Sequence, residues 1–295
     1  MMLKRILIGA AVLLASGVNA NEQSTVQNDS PLNVQVYHAD GNSFHVNSSL
    51  VTGAHEAMVI DAGFTRADAF RIAANVLDSG KTLKTIYVSQ ADPDYYFGVE
   101  VLKNIFPEAK VLASPAVLKQ IKKKLPAKVA YWGPKLGVNA PQHPVVPTEF
   151  KGDKLYVDGH VLEIKGLTGA IAHRPYVWIP SIRAIVGNVA VSGGLHLWMA
   201  DSQTKIEQDA WLKQLDEMKD LNPLLVVPGH MKAGTKMDVA TIDYTRNYLV
   251  TFLRKAKHAK NSRELIHVMK NAYPEAELEI ALTIGAKVIK GEMQW

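Results

Sequence analysis

The chain has 295 residues, 47% of them hydrophobic, no cysteine, and a formal net charge of +5. That is enough apolar material for one large core or two closely joined halves. The missing cysteines exclude disulfides, thiolate nucleophiles and Cys-bound metals, and the mild charge gives no electrostatic case for nucleic acid.

Residues 1–20, MMLKRILIGAAVLLASGVNA, place Lys4 and Arg5 before an apolar run from Ile6 to Ala15 and end in Val18-Asn19-Ala20. These are the marks of a cleaved export signal. The run is shorter than the ~20 residues a spanning helix needs, so the expected product begins at Asn21, is periplasmic or secreted, and has no stable membrane insertion. Residues 21–31 are polar and aperiodic, which predicts a disordered leader. A single domain is expected over 32–295.

Within that domain, β-branched and aromatic runs alternate with helical patterns, the signature of an α/β fold. NVQVYHADG and NSSLVTG read as a hairpin or meander, EAMVIDAGF as a strand ending in a turn, and RADAFRIAANVLDSG as an amphipathic helix closed by Gly80. LKTIYVSQ is the next strand and DPDYYFGVEVLKNIF a helix. After the short strand KVLASP, SPAVLKQIKKKL is a helix with Ser114 as N-cap and Pro115 at its first position. The lysines of KQIKKK read as its solvated face. VAYWGPKLGVNAPQHPVVP, with four prolines and two glycines, predicts a long surface loop. Asp158-Gly159 marks a hairpin turn in DKLYVDGHVLEIKGL, and YVWIPSIRAIVGNVAV gives two strands around Pro-Ser. A helix at KIEQDAWLKQLDEMKDL, a strand at LLVVPGH and a helical extension from about residue 238 complete the order.

The segment QADPDYYFG has a structural reading of its own: Asp92 as N-cap, Pro93 at the first helical position, Asp94 favouring the helix dipole. The order of elements around it adds another. VIDAGF, SQADPDYYFG, GLTGAIAHRPYVWIP with IVGN, and VVPGH fall in the order and spacing of the metallo-β-lactamase superfamily, and the resemblance covers roughly residues 33–235. It implies a four-layer αββα sandwich with a hydrolytic, metal-dependent site at the edge where strand-end loops converge. The C-terminal helices extend that frame.

The same resemblance implies a changed ligand set. Gln90 and Asp92 stand where the family motif His-x-His-x-Asp-His has its first two histidines; Asp94 keeps the aspartate and Tyr95 replaces the last histidine. Ala170 takes the place of the third first-site histidine, Asn188 that of the bridging aspartate, and His230 keeps the final histidine. Oxygen donors suit harder ions than zinc. The expectation is therefore at most one divalent ion, on Asp94 and His230, with zinc not favoured. Asp92, Asp94 and Tyr95 are the candidate catalytic residues, because paired carboxylates push one pKa upward and make an acid–base pair. Gln90, His173, Asn188, His196 and Trp198 are expected to line the substrate pocket, Trp132 and the Tyr95-Tyr96-Phe97 cluster its apolar wall, and Asp61 the scaffold. Two functions follow: hydrolysis of a small ester, lactone, amide or phosphoester, or binding of a small molecule in the same cleft without turnover.

Overall fold

The computed structural model describes residues 31–295. The expected signal at 1–20 and the leader up to residue 30 lie outside the described residues.

Strands β1 (Asn33–His38), β2 (Asn47–Thr52), β3 (Glu56–Ile60), β4 (Thr82–Val88), β5 (Lys110–Ala113) and β6 (Thr148–Glu149) form a six-stranded sheet in that spatial order. The β1–β2–β3 meander is antiparallel, and β3 to β6 run parallel. Strands β7 (Lys154–Val157), β8 (His160–Lys165), β9 (Tyr176–Ile179) and β10 (Ala184–Val186) follow; after the short β11 (Ser192–Gly193), β12 (Leu225–Val226) completes the second sheet, ordered β12-β10-β9-β8-β7. β11 pairs separately with β13 (His230–Met231). The β7–β8 turn puts Asp158 and Gly159 at positive φ, as the Asp-Gly signal requires.

Strand periodicity divides the core. In β3, Ala57 and Val59 face one cluster and Met58 and Ile60 another, because successive side chains point to opposite faces. The first cluster sits between the large sheet and α1 (Arg66–Asp78), α2 (Pro93–Tyr96), α3 (Val99–Ile105) and α4 (Pro115–Leu136). The second joins the sheets, with Met58, Ile60 and Tyr87 against Leu162, Val177 and Val186. A third packs the other sheet against α5 (Lys205–Asp220), α6 (Ala240–His258), α7 (Ser262–Ala272) and α8 (Glu279–Ile289). The layers are helix, sheet, sheet, helix, as the resemblance implied.

Two expected elements differ. The helix after β4 is broken into α2 and α3 at Phe97-Gly98. A Cβ at Gly98 would stand 2.0 Å from the Ala62 carbonyl oxygen, so the β3 loop and this break approach backbone to backbone. The predicted loop at 129–147 is instead helical up to Leu136, with Pro126 and Pro134 inside α4. Each proline removes a helix donor. Leu125, Val129, Trp132 and Leu136 pack on the first core cluster and hold the helix through that loss.

Candidate active site

The site lies where four loops meet. Asp61, just past β3, accepts hydrogen bonds from Ser89 N (2.8 Å) and Ser89 Oγ (2.7 Å), which ties the ends of β3 and β4 together. Its φ of 65° is a left-handed conformation that such a fixed carboxylate can sustain. Burial pushes its carboxyl up to about 7, against both Ser89 bonds. Gly187 brings the end of β10 onto the same point, since a Cβ there would meet Ile60 and Ser89. Gly229 closes the group: its Cβ would stand 2.5 Å from the Tyr95 hydroxyl and 2.7 Å from the Asn188 carbonyl oxygen.

The loop between β1 and β2 supplies the fourth side. The buried Asp68 of α1 accepts from Tyr37, Ser43 and Thr65 hydroxyls at 2.6–2.7 Å. Burial raises its pKa, but these bonds outweigh it and hold the carboxyl below the ordinary value. The turn so anchored places Phe44 and His45 consecutively at positive φ, 57° and 58°, a strained conformation for residues with side chains. Their carbonyls accept from His230 Nδ1 at 2.8 Å and from Met231 N at 3.1 Å.

With Nδ1 facing a carbonyl acceptor, His230 carries its proton there and turns the lone pair of Nε2 toward Asp94, whose Oδ2 is 3.5 Å away. Burial, then the charge of Asp92, push the Asp94 carboxyl up to about 8. Burial pulls His230 down to about 4, with His45 adding to the pull and the Phe44 carbonyl opposing it. Both therefore favour their neutral forms at neutral pH, although they form a carboxyl–imidazole pair. Their side chains are 10% and 20% exposed, so the pair is enclosed by protein yet reachable from solvent. The buried Tyr95 ring stands edge-on to His230, 5.5 Å between centroids. The Tyr95 hydroxyl and both side-chain polar atoms of the buried Asn188 have no hydrogen-bond partner. Such groups are costly unless something polar meets them.

Asp92 holds the N-cap position of α2 but makes no side-chain cap bond, so the expected capping role is not realised. It faces helix α4 instead, partly buried. Lys124 Nζ is 3.8 Å and Lys128 Nζ 4.0 Å from its Oδ1. Burial and then Asp201 raise the Asp92 pKa, with Lys124, Lys128 and Arg174 opposing.

The other expected pocket residues do not share one place. Trp198 lies at the mouth, 6.5 Å from Phe44 and 5.4 Å from Trp295 between ring centroids. His173 is half-buried and sits in the field of Arg174, Lys124 and Asp201, which associates it with the Asp92 side of the cleft. Gln90 is buried and folds onto its own loop, accepting from Ala91 N at 2.6 Å. His196 is corrected outright: it is 2% exposed and its Nδ1 meets the Tyr248 hydroxyl at 2.8 Å in the helical core. Trp132 is on α4, not in a loop, and packs at 5.6 Å on Phe44 and 5.1 Å on Phe64.

Sequence reasoning missed Phe44, Lys124, Lys128, Arg174 and Trp295. Arg174 is buried, donates to Ser202 Oγ at 2.6 Å and lies 4.2 Å over the Trp211 ring.

The donor set falls short of a metal centre. Among the described residues no group of three His, Asp or Glu is placed to hold an ion. Asp94 and His230 are only two such ligands, fewer than a zinc site takes from protein. The residues present do not fit a zinc centre, and no chemistry is derived through one.

No family model and no curated protein matches the chain. Solved structures do match. The DIM-1 metallo-β-lactamase exposed to ceftazidime is 18% identical, over 75% of this chain and 92% of that one, with a TM-score of 0.53. A metallo-β-lactamase family protein from Thermus thermophilus is 16% identical over 89% and 92%, with a TM-score of 0.60. A metallo-β-lactamase from Pontibacter korlensis is 15% identical over 75% and 95%, with a TM-score of 0.52. At these identities the likeness is one of fold.

Proposed function

The chain has the metallo-β-lactamase fold, and on that premise we propose that it is a hydrolase of a small ester, lactone, amide or phosphoester that works by acid–base chemistry on Asp94 and His230. The observation carrying this reading is the geometry of the pair: His230 Nδ1 is held by the Phe44 carbonyl at 2.8 Å, so that Nε2 faces Asp94 Oδ2 at 3.5 Å in a largely enclosed site, where burial pushes the carboxyl up and the imidazole down.

The proton balance closes. His230 Nε2 takes a proton from the attacking water, and Asp94 gives one to the leaving oxygen or nitrogen. The imidazolium and carboxylate so formed face each other, and the proton passes back to Asp94, the group with the higher affinity. The buried Tyr95 ring, edge-on to His230, helps to exclude water from the pair. Export to the periplasm or beyond remains part of the proposal and rests on residues 1–20; intact-mass measurement of the exported protein should find Asn21 first, and retained residues 1–20 would contradict it.

A second reading is that the same site binds a small molecule without turnover. A screen of esters, lactones, amides and phosphoesters in the presence of EDTA separates the two. Hydrolysis of one class under chelation is expected. Activity that appears only when a metal is restored contradicts the metal-free chemistry, and no hydrolysis with or without metal leaves the binding reading.

A further inference from the structure

Helix α4 carries Lys124, Lys128 and Trp132 at intervals of four, which puts all three on one stripe of the helix. That stripe reaches the candidate site at Asp92, two residues from Asp94. Lys124 and Lys128 converge on one oxygen of Asp92, and Lys124 also stands 4.0 Å from Asp201 Oδ1. None of these distances is a hydrogen bond, which for an ammonium and a carboxylate is about 2.7–2.9 Å. The two ammonium groups therefore face the carboxylates without closing on them. The buried guanidinium of Arg174 adds a third positive charge to the field at Asp92 and Asp201, so three cations face two acids.

Aromatic rings continue the rim. Trp132 packs on Phe44 at 5.6 Å, Phe44 on Trp198 at 6.5 Å, and Trp198 on Trp295 at 5.4 Å. Trp295 is fixed at this end by its indole N–H, which donates to Asp201 Oδ1 at 2.7 Å, and Lys128 Nζ lies 5.6 Å from its ring centroid. Trp295 is nevertheless 49% exposed. Partly exposed rings, beside two ammonium groups that stand 3.8–4.0 Å from their acids, match a ligand with an apolar body and an anionic end that takes over part of that pairing.

We infer that Lys124 and Lys128 form an anion subsite at the cleft mouth and, with the arc of Phe44, Trp132, Trp198 and Trp295, select substrates that carry a carboxylate or phosphate on an apolar or aromatic body. The inference rests on the reading that this cleft is the substrate site, but not on turnover there.

Binding is measured by titration calorimetry with 4-phenylbutyrate and its neutral amide, 4-phenylbutyramide. The wild type is expected to bind the acid at least about tenfold more tightly, the scale of a hydrogen bond to a charged group. Lys124→Gln, Lys128→Gln and the double variant should lose that preference while binding the amide as before. Lys119→Gln with Lys123→Gln, on the exposed side of the same helix, should keep it. Trp295→Ala should weaken acid and amide alike. Equal affinities in the wild type, a preference that survives in the double variant, or no binding of the acid in the millimolar range would each overturn the subsite. Acid preference without hydrolysis in the substrate screen would sink the hydrolase reading alone; hydrolysis without acid preference would sink only the subsite.

Discussion

The Phe44 carbonyl accepts the Nδ1 hydrogen of His230 at 2.8 Å, across 186 residues of sequence. This contact fixes which imidazole nitrogen faces Asp94, and it depends on two consecutive left-handed residues in the β1–β2 loop. Replacing His45 by Gly relieves strain at one of them, since glycine takes positive φ freely. The expected result is unchanged or higher stability, but slower turnover as the loop loosens its hold on His230. Urea denaturation and steady-state kinetics check the two halves separately.

The raised carboxyl of Asp94 makes a signed prediction about stability. Between its unfolded value near 3.8 and its folded value of about 8, the folded state holds a proton that the unfolded state has released. Stability therefore falls as pH rises through that window. Asp61 acts in the same direction up to about 7. His230 and His196, both lowered to about 4 from 6.5, act oppositely and only below 6.5. Below 6.5 the lowered histidines, His45 and His173 among them, oppose the raised carboxyls; from 6.5 to 8 only the carboxyls act, and stability falls. Thermal melts should show that fall in the wild type, and Asp94→Asn should flatten the part above pH 7.

Gly229 is required by space. Gly229→Ala places a methyl against the Tyr95 hydroxyl, the Asn188 carbonyl and the Val189 Cα, and should cost about 1–3 kcal/mol, the usual scale of overpacking. Adding Tyr95→Phe removes one of the three obstacles and should recover part of the loss. Full recovery, or none, in urea titrations would mean that the contacts around Gly229 are misassigned.

The metal question has its own readout. Elemental analysis of the purified protein should find at most one ion per chain, and calorimetry with zinc should show no pair of tight sites. Two zinc ions bound at micromolar concentration would contradict the ligand arithmetic at Asp94 and His230.

Much of this was legible in the sequence, and the losses have identifiable causes. Strand alternation and helix periodicity gave the α/β class and most of the elements, because burial on one or both faces writes itself into local pattern; the four layers came from the resemblance alone. Asp94 and His230 were visible from their place among the landmarks. Phe44 was not, because its role is played by a backbone carbonyl that any residue provides. Lys124, Lys128 and Trp132 share a helical spacing, but reading the Pro- and Gly-rich stretch from Val129 as a loop hid it; core packing carries the helix on to Leu136. His196 looked like a pocket residue on a Gly-rich loop, and only the tertiary contact with Tyr248 places it in the core.

Activity should depend on pH as a bell, falling below about 4 as His230 becomes charged and above about 8 as Asp94 ionises. Rates with the substrate class found in the screen trace both limbs.

The sharpest test of acid–base chemistry on Asp94 and His230 is the turnover of Asp94→Asn and His230→Gln beside wild type, in chelator at pH 7, with melts confirming that both variants fold. If the pair does the chemistry, each variant should lose on the order of 10²–10⁴ in kcat, because a proton transfer made in the transition state is removed. Wild-type rates in both folded variants would place the reaction elsewhere and contradict the assignment.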